Sequence, residues 1–129
     1  KHLYGYKLGL ASSAPLAEVK ANLKAHGLQD TFDMIISGKD DLNDIQDLEG
    51  VNKPKPYIYL RLAKWLQVAR AHCLVFEDTQ AGVEAGASAG MIVYAVPNTL
   101  TKTHNFDLAQ KVLTVEDIQF KNLFKVSQE

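Results

Sequence analysis

Short, continuous apolar runs alternate with helical patterns along this chain, and that alternation narrows the possible folds more than any other feature. Five segments read as strands: roughly Tyr6 to Ala11, Met34 to Ser37, Leu74 to Phe76, Ile92 to Val96 and Val112 to Val115. They are rich in β-branched or aromatic residues and mostly do not alternate with polar ones, which suits strands covered on both faces. Between them, Leu16, Val19 and Leu23 recur at helical spacing up to Gly27, a residue that can cap the end. Tyr59, Leu62, Ala63 and Leu66 repeat the pattern, with Pro56 where a first helical turn tolerates proline. Ala81 to Ala89 reads as a third helix and Glu116 onward as the last. Strand alternating with helix predicts an α/β fold with a doubly wound, mostly parallel Rossmann-like sheet and right-handed crossovers. Ligands on such sheets bind beyond the carboxyl ends of the strands.

Size and charge set the outer bounds. A chain of 129 residues makes a single domain and can bury roughly two-thirds of its unfolded surface. Lys and Arg total 14 against 15 acids, a formal net charge of −1, so no whole-molecule field recruits nucleic acid or an anionic membrane. The apolar runs are far shorter than a membrane span. The single cysteine, Cys73, has no internal disulfide partner, and a reducing, cytoplasmic setting is expected.

Loop residues after the strands carry the chemistry. Glu77 and Asp78 put two like charges at the end of the third strand, an arrangement that raises a pKa or calls for a cation. Mg²⁺ suits it, because that ion takes one or two carboxylates and completes its octahedron with water and phosphate oxygens. A plainer reading has one acid in solvent and Asp78 capping the next helix. In that helix, Gly82, Gly86 and Gly90 recur four apart, as do Ala81, Ala85 and Ala89, so one broad face carries little bulk and lets backbone come close. In LASSA, Leu10 to Ala14, a serine at a strand end and the opening of a helix offer a hydroxyl and backbone N–H groups to an anion; alternatively Ser13 is only a cap. In NKPKPYIY, Asn52 to Tyr59, Pro54 and Pro56 make the approach to the helix stiff and extended and aim a lysine, but composition does not separate Lys53 from Lys55. The acidic loop Gly38 to Asn52 is not a calcium loop: Ile45 falls where an oxygen ligand belongs and Gln46 where glycine is required, so it reads as a solvated connection. His2, His26, His72 and His104 lie in different segments without metal-ligand spacing. The segment from Asn98 to Asn105 follows the fourth strand and borders the expected site.

Taken in order, serine at a strand end, lysine in a Lys-Pro-x-Pro-x-x-Tyr pattern and Glu-Asp before a Gly/Ala helix resemble the haloacid dehalogenase-like (HAD) superfamily, within its phosphatase and β-phosphoglucomutase group, from about Tyr6 to Pro97. LASS is similar to the second family motif, KPKPYIYL to the third and FEDTQAGVEAGASAGM to the fourth; Tyr57 stands where many relatives have Asp. The resemblance implies Ser12 and Ser13 at a phosphate, Lys53 as the functional lysine beside it, and Glu77 and Asp78 on Mg²⁺. It further implies phosphoryl transfer through an aspartyl-phosphate, acting on a small phosphorylated metabolite. The family nucleophile belongs to a D-x-D-x-[TV] motif on a central first strand, and these 129 residues do not contain that motif. By resemblance, residues 1–129 are therefore expected to be the C-terminal portion of a HAD-type core without a cap domain. Their sheet would be incomplete without its central strand, and the nucleophile would come from a missing N-terminal segment or a second chain. Alone, the chain is expected to be inactive. The rival expectation is a non-catalytic HAD-derived module that binds a phosphorylated ligand or a protein partner.

Overall fold

The computed structural model describes residues 5–118. Four of the five expected strands form where the apolar runs are continuous: β1 (Gly9–Ser12), β2 (Met34–Ser37), β3 (Leu74–Glu77) and β4 (Ile92–Ala95). The fifth, β5 (Lys111–Val112), starts one residue early and is only a two-residue edge pairing, because both its residues are exposed and have little to bury. The helices are α1 (Leu16–Ala25), α2 (Tyr57–Leu66) and α3 (Gln80–Ser88). Gly27 follows α1 at φ +67°, the left-handed conformation that ends a helix at little cost to glycine. The predicted final helix begins as a 3₁₀ turn, Val115–Asp117; its remainder lies outside the described residues.

All strand pairs are parallel. β1 pairs with β2, with Ser12 opposite Ser37, and β3, β4 and β5 form a second sheet in that order, with Glu77 opposite Ala95. Among the described residues, no ladder joins β1 to β3. Helix packing holds the two sheets in one body. α2 lies over β1 and β2, α3 lies over β3 and β4, and the two helices meet. One continuous core results, running from Ile36 and Leu42 through Ile58 and Leu62 to Val75, Val83 and Val93. Among the described residues no helix is long and apolar enough to cross a membrane.

The small-residue face of α3 serves this packing at Gly86. A Cβ there would stand 2.7 Å from Val93 Cγ2, and Val93 is fully buried on a strand with no room to retreat. Gly86→Ala is therefore expected to destabilise the protein by about 1–2 kcal/mol, since overpacking outweighs the gain in helix propensity. Urea unfolding checks this, with the exposed Ser88→Ala on the same helix expected to lie within about 0.5 kcal/mol of the parent.

The acidic loop between β2 and α2 is largely exposed, as a solvated connection should be, but it is anchored at several points. Leu42 is 1% exposed and belongs to the core, and Ile45 and Val51 pack against it. Two of its acids also hold residues of α2. Asp44 takes both guanidinium nitrogens of Arg61 at 2.5 and 2.9 Å, and that contact holds its carboxyl below the ordinary range. Asp47 accepts from the Glu49 N–H at 2.9 Å and from the Tyr57 hydroxyl at 2.8 Å, with a similar lowering. The loop is fastened to α2 along its length.

Candidate active site

β1 and β3 both end at the same rim, and between them opens a cleft of about 1030 Å³. Gly5 to Ser13 form one wall, Cys73 to Thr79 the other, and Lys53 and Tyr59 reach in from the α2 side. Ser12, Ser13, Lys53, Glu77 and Asp78, which lie up to 66 positions apart in sequence, all line this one space. Parallel strands that diverge around a crevice at their carboxyl ends are where α/β sheets take ligands.

The serine loop is held from behind by residues that motif reading passed over. Ser37, fully buried beside Ser12 in the sheet register, donates from its hydroxyl to the Ala14 carbonyl at 2.7 Å. Asp40 accepts from the Leu16 N–H at 2.6 Å, so α1 is capped from across the sheet and not by Ser13. Asp41 in turn accepts from the Ser37 N–H at 2.8 Å. Ser13 stays exposed at the cleft, and Ser12 accepts the Ala14 N–H at 3.2 Å. Part of the acidity of the loop after β2 thus serves to shape the serine loop.

Lys53 and Lys55, inseparable by composition, go to different places. Lys55 pairs with Glu49 at 2.6 Å and with Asp47 at 3.5 Å on the outer loop. Lys53 turns inward, 14% exposed, and donates to Glu77 Oε1. The stiff extended approach predicted for this segment is instead a tight turn: the Lys53–Pro54 peptide is cis and the Lys55 N–H donates to the Asn52 carbonyl at 3.0 Å.

The two acids also separate. Glu77, 8% exposed, folds its carboxylate against the first turn of α3, where a Cβ on Gly82 would lie 2.0 Å from Oε2. The missing side chain at Gly82 thus accommodates a carboxylate, while Gly86 accommodates the sheet. Asp78 is exposed at the mouth and accepts from Asn98 Nδ2 at 3.1 Å. It does not cap α3; Thr79 does, its hydroxyl accepting the Gly82 N–H at 3.1 Å. With the cap supplied by Thr79, the simpler account of Asp78 falls away. Of the bordering segment Asn98 to Asn105, Asn98 reaches Asp78, and His104 Nδ1 accepts the Gln80 N–H at 3.2 Å, a capping role.

A hard cation fits this donor set. Among the described residues no three His, Cys, Asp or Glu side chains cluster as a closed metal cage. Mg²⁺ does not need one, because one or two carboxylates with water and phosphate oxygens suffice. Asp78 is the available carboxylate, with Glu77 next to it and already bound to Lys53 and Tyr59.

The layout defines an α/β protein with a crevice lined by serine, lysine and carboxylate side chains at a break in its parallel sheet. A family model described as haloacid dehalogenase-like hydrolase matches residues 1–90, and the chain belongs to that family. It is 42% identical over 103 residues to YhcW of Bacillus subtilis, covering 80% of this chain and 43% of the relative. It is 33% identical over 120 residues to the phosphorylated carbohydrates phosphatase of Thermotoga maritima, covering 92% and 52% respectively. The crystal structure of β-phosphoglucomutase from Clostridium difficile superimposes with a TM-score of 0.75 at 29% identity, over 96% of this chain and 50% of that one. The chain spans about half the length of each of these proteins.

Proposed function

We propose that this chain supplies the phosphate-holding and cation-holding part of an enzyme that transfers or hydrolyses phosphate esters of small metabolites, with Mg²⁺ as cofactor. The observation that carries the reading is the convergence of Ser12, Ser13, Lys53, Glu77 and Asp78 on one cleft. In this reading the Ser12 hydroxyl and the Ser13 backbone bind the phosphoryl oxygens, and Lys53 offsets their charge as it develops. Asp78, with Glu77, would hold Mg²⁺, which when bound supplies Lewis-acid polarisation of the phosphoryl group. The attacking carboxylate, and hence the aspartyl-phosphate formed on it, belongs to a strand outside these 129 residues.

That strand is proposed to occupy the space between β1 and β3, which both line the cleft and, among the described residues, share no ladder. Residues 1–129 would then be the later portion of a core domain, completed by an N-terminal segment or a second chain. Two strands that line one cleft and, among the described residues, do not pair across it support this, because native sheets pair or cover their edges. A cytoplasmic setting belongs to the same proposal, consistent with Cys73 as a free thiol.

The test compares hydrolysis of a panel of sugar phosphates by residues 1–129 and by the full-length protein. The 129-residue chain is expected to show no turnover, and the full-length protein Mg²⁺-dependent turnover that EDTA removes and added Mg²⁺ restores. A full-length protein that binds phosphate esters yet hydrolyses none with Mg²⁺ present is a binding module, and the enzymatic reading fails.

A further inference from the structure

We infer that Tyr59 is a positioning residue of the phosphate site, acting through Glu77 to keep the Lys53 ammonium presented to the cleft. This rests on the cleft being the phosphate site proposed above.

Tyr59 sits in the first turn of α2 among core residues and is 7% exposed. Its neighbours Ile58, Leu62 and Ala63 are apolar, so packing alone would be served by phenylalanine. Instead its hydroxyl leaves the apolar layer and donates to Glu77 Oε1, the oxygen that also receives Lys53 Nζ. The Lys53 ammonium stands 5.1 Å from the centroid of the Tyr59 ring. One side chain therefore touches both members of the ion pair, with its hydroxyl on the anion and its π-face toward the cation.

Sharing an oxygen has a consequence for lysine. An ammonium has three N–H donors, and a carboxylate oxygen already engaged by a phenol is a weaker competitor for them. Lys53 thereby keeps donors for a phosphate oxygen while staying anchored. The α3 backbone at Gly82 closes the other side of the Glu77 carboxylate, so the phenol and the Lys53 ammonium together fix where Oε1 sits. Without it, Glu77 can turn toward Lys53 and occupy it fully.

The experiment measures inorganic phosphate affinity at fixed Mg²⁺, by ³¹P NMR or calorimetry on the full-length protein, together with the thermal midpoint of each variant. Tyr59→Phe is expected to weaken phosphate about tenfold, the loss of one hydrogen bond to a charged group, while the midpoint moves by only a few degrees. In a Lys53→Ala background, adding Tyr59→Phe is expected to weaken phosphate no further than about twofold, because the effect runs through the lysine. Tyr59→Phe that binds phosphate within twofold of the parent overturns the inference, as does an equal loss in both backgrounds. Should Tyr59→Phe fail to fold, Tyr59→Met, which also lacks the hydroxyl, is read the same way: about tenfold weaker phosphate is expected, and affinity within twofold of the parent overturns the inference. A Lys53 effect without a Tyr59 effect removes this inference alone. Lys53→Ala binding phosphate like the parent removes the phosphate-site reading and this inference with it.

Discussion

Lys53→Ala in the full-length protein is expected to lower kcat/KM for a small phosphate ester by about 10³-fold, the scale of losing a preorganised charge at a developing anion. It is also expected to cost about 3 kcal/mol of stability. The two losses have separate causes. The first is the missing ammonium at the phosphoryl group. The second is Glu77, 8% exposed, left with Tyr59 as its side-chain donor among the described residues once its ion-pair partner is gone; breaking a buried pair from one side leaves a charge that the interior cannot solvate. The double variant Lys53→Ala/Glu77→Gln separates them, because neutralising the orphaned carboxylate should recover most of the stability and none of the rate. Urea unfolding and steady-state kinetics on the same samples provide both readings. Recovery of the rate in the double variant would mean that Lys53 serves only to neutralise Glu77.

Asp78→Asn is expected to divide the same two quantities in the opposite way. Activity dependent on Mg²⁺ should fall by about 10³-fold or more, since the exposed carboxylate at the mouth is the leading cation donor. Stability should stay within about 0.5 kcal/mol, because the side chain is solvent-exposed, its partner is Asn98 at 3.1 Å, and the α3 cap belongs to Thr79. If Asp78 were a structural cap, the substitution would instead lower the unfolding midpoint and leave turnover per folded molecule unchanged. Mg²⁺ titrations of activity and denaturant unfolding distinguish these outcomes.

Much of the fold was legible because burial writes itself into composition. β2 is MIIS and β4 begins IVYA, continuous apolar runs that only a covered parallel strand accommodates, and both form where those runs lie. Where burial is slight the signal weakens: β5 is two exposed residues, and its position is set by pairing with Tyr94 and Ala95, which local sequence does not encode. The anchoring of the loop between β2 and α2 is hidden for a related reason. Eight acids and amides among fifteen positions look solvated, yet Asp44 answers Arg61 and Asp47 answers Tyr57, and those partners lie on the following helix.

The site divides along the same line. Motif order brought Ser12, Ser13, Lys53, Glu77 and Asp78 to notice, and all of them line the cleft. What stayed hidden is which atom meets which. Lys55 is excluded from the cleft by Glu49, Asp78 is relieved of capping by Thr79, and the Glu77 carboxylate takes the space left by Gly82. Ser37 and Asp40, which fasten the serine loop, carry no local mark, since their partners are more than twenty residues away. A tyrosine three residues into a helix looks like core, and only the position of Glu77 Oε1 reveals its second contact.

In the proposed function, strand-end loops from separate parts of the chain form a single anion and cation pocket. The most direct measurement follows backbone amide resonances of the full-length protein while inorganic phosphate is added in the presence of Mg²⁺. Signals of Ser12, Ser13, Lys53 and Asp78 are expected to shift together along one saturation curve with a common dissociation constant. Shifts confined to one of these loops, or loops that saturate at different phosphate concentrations, would contradict it.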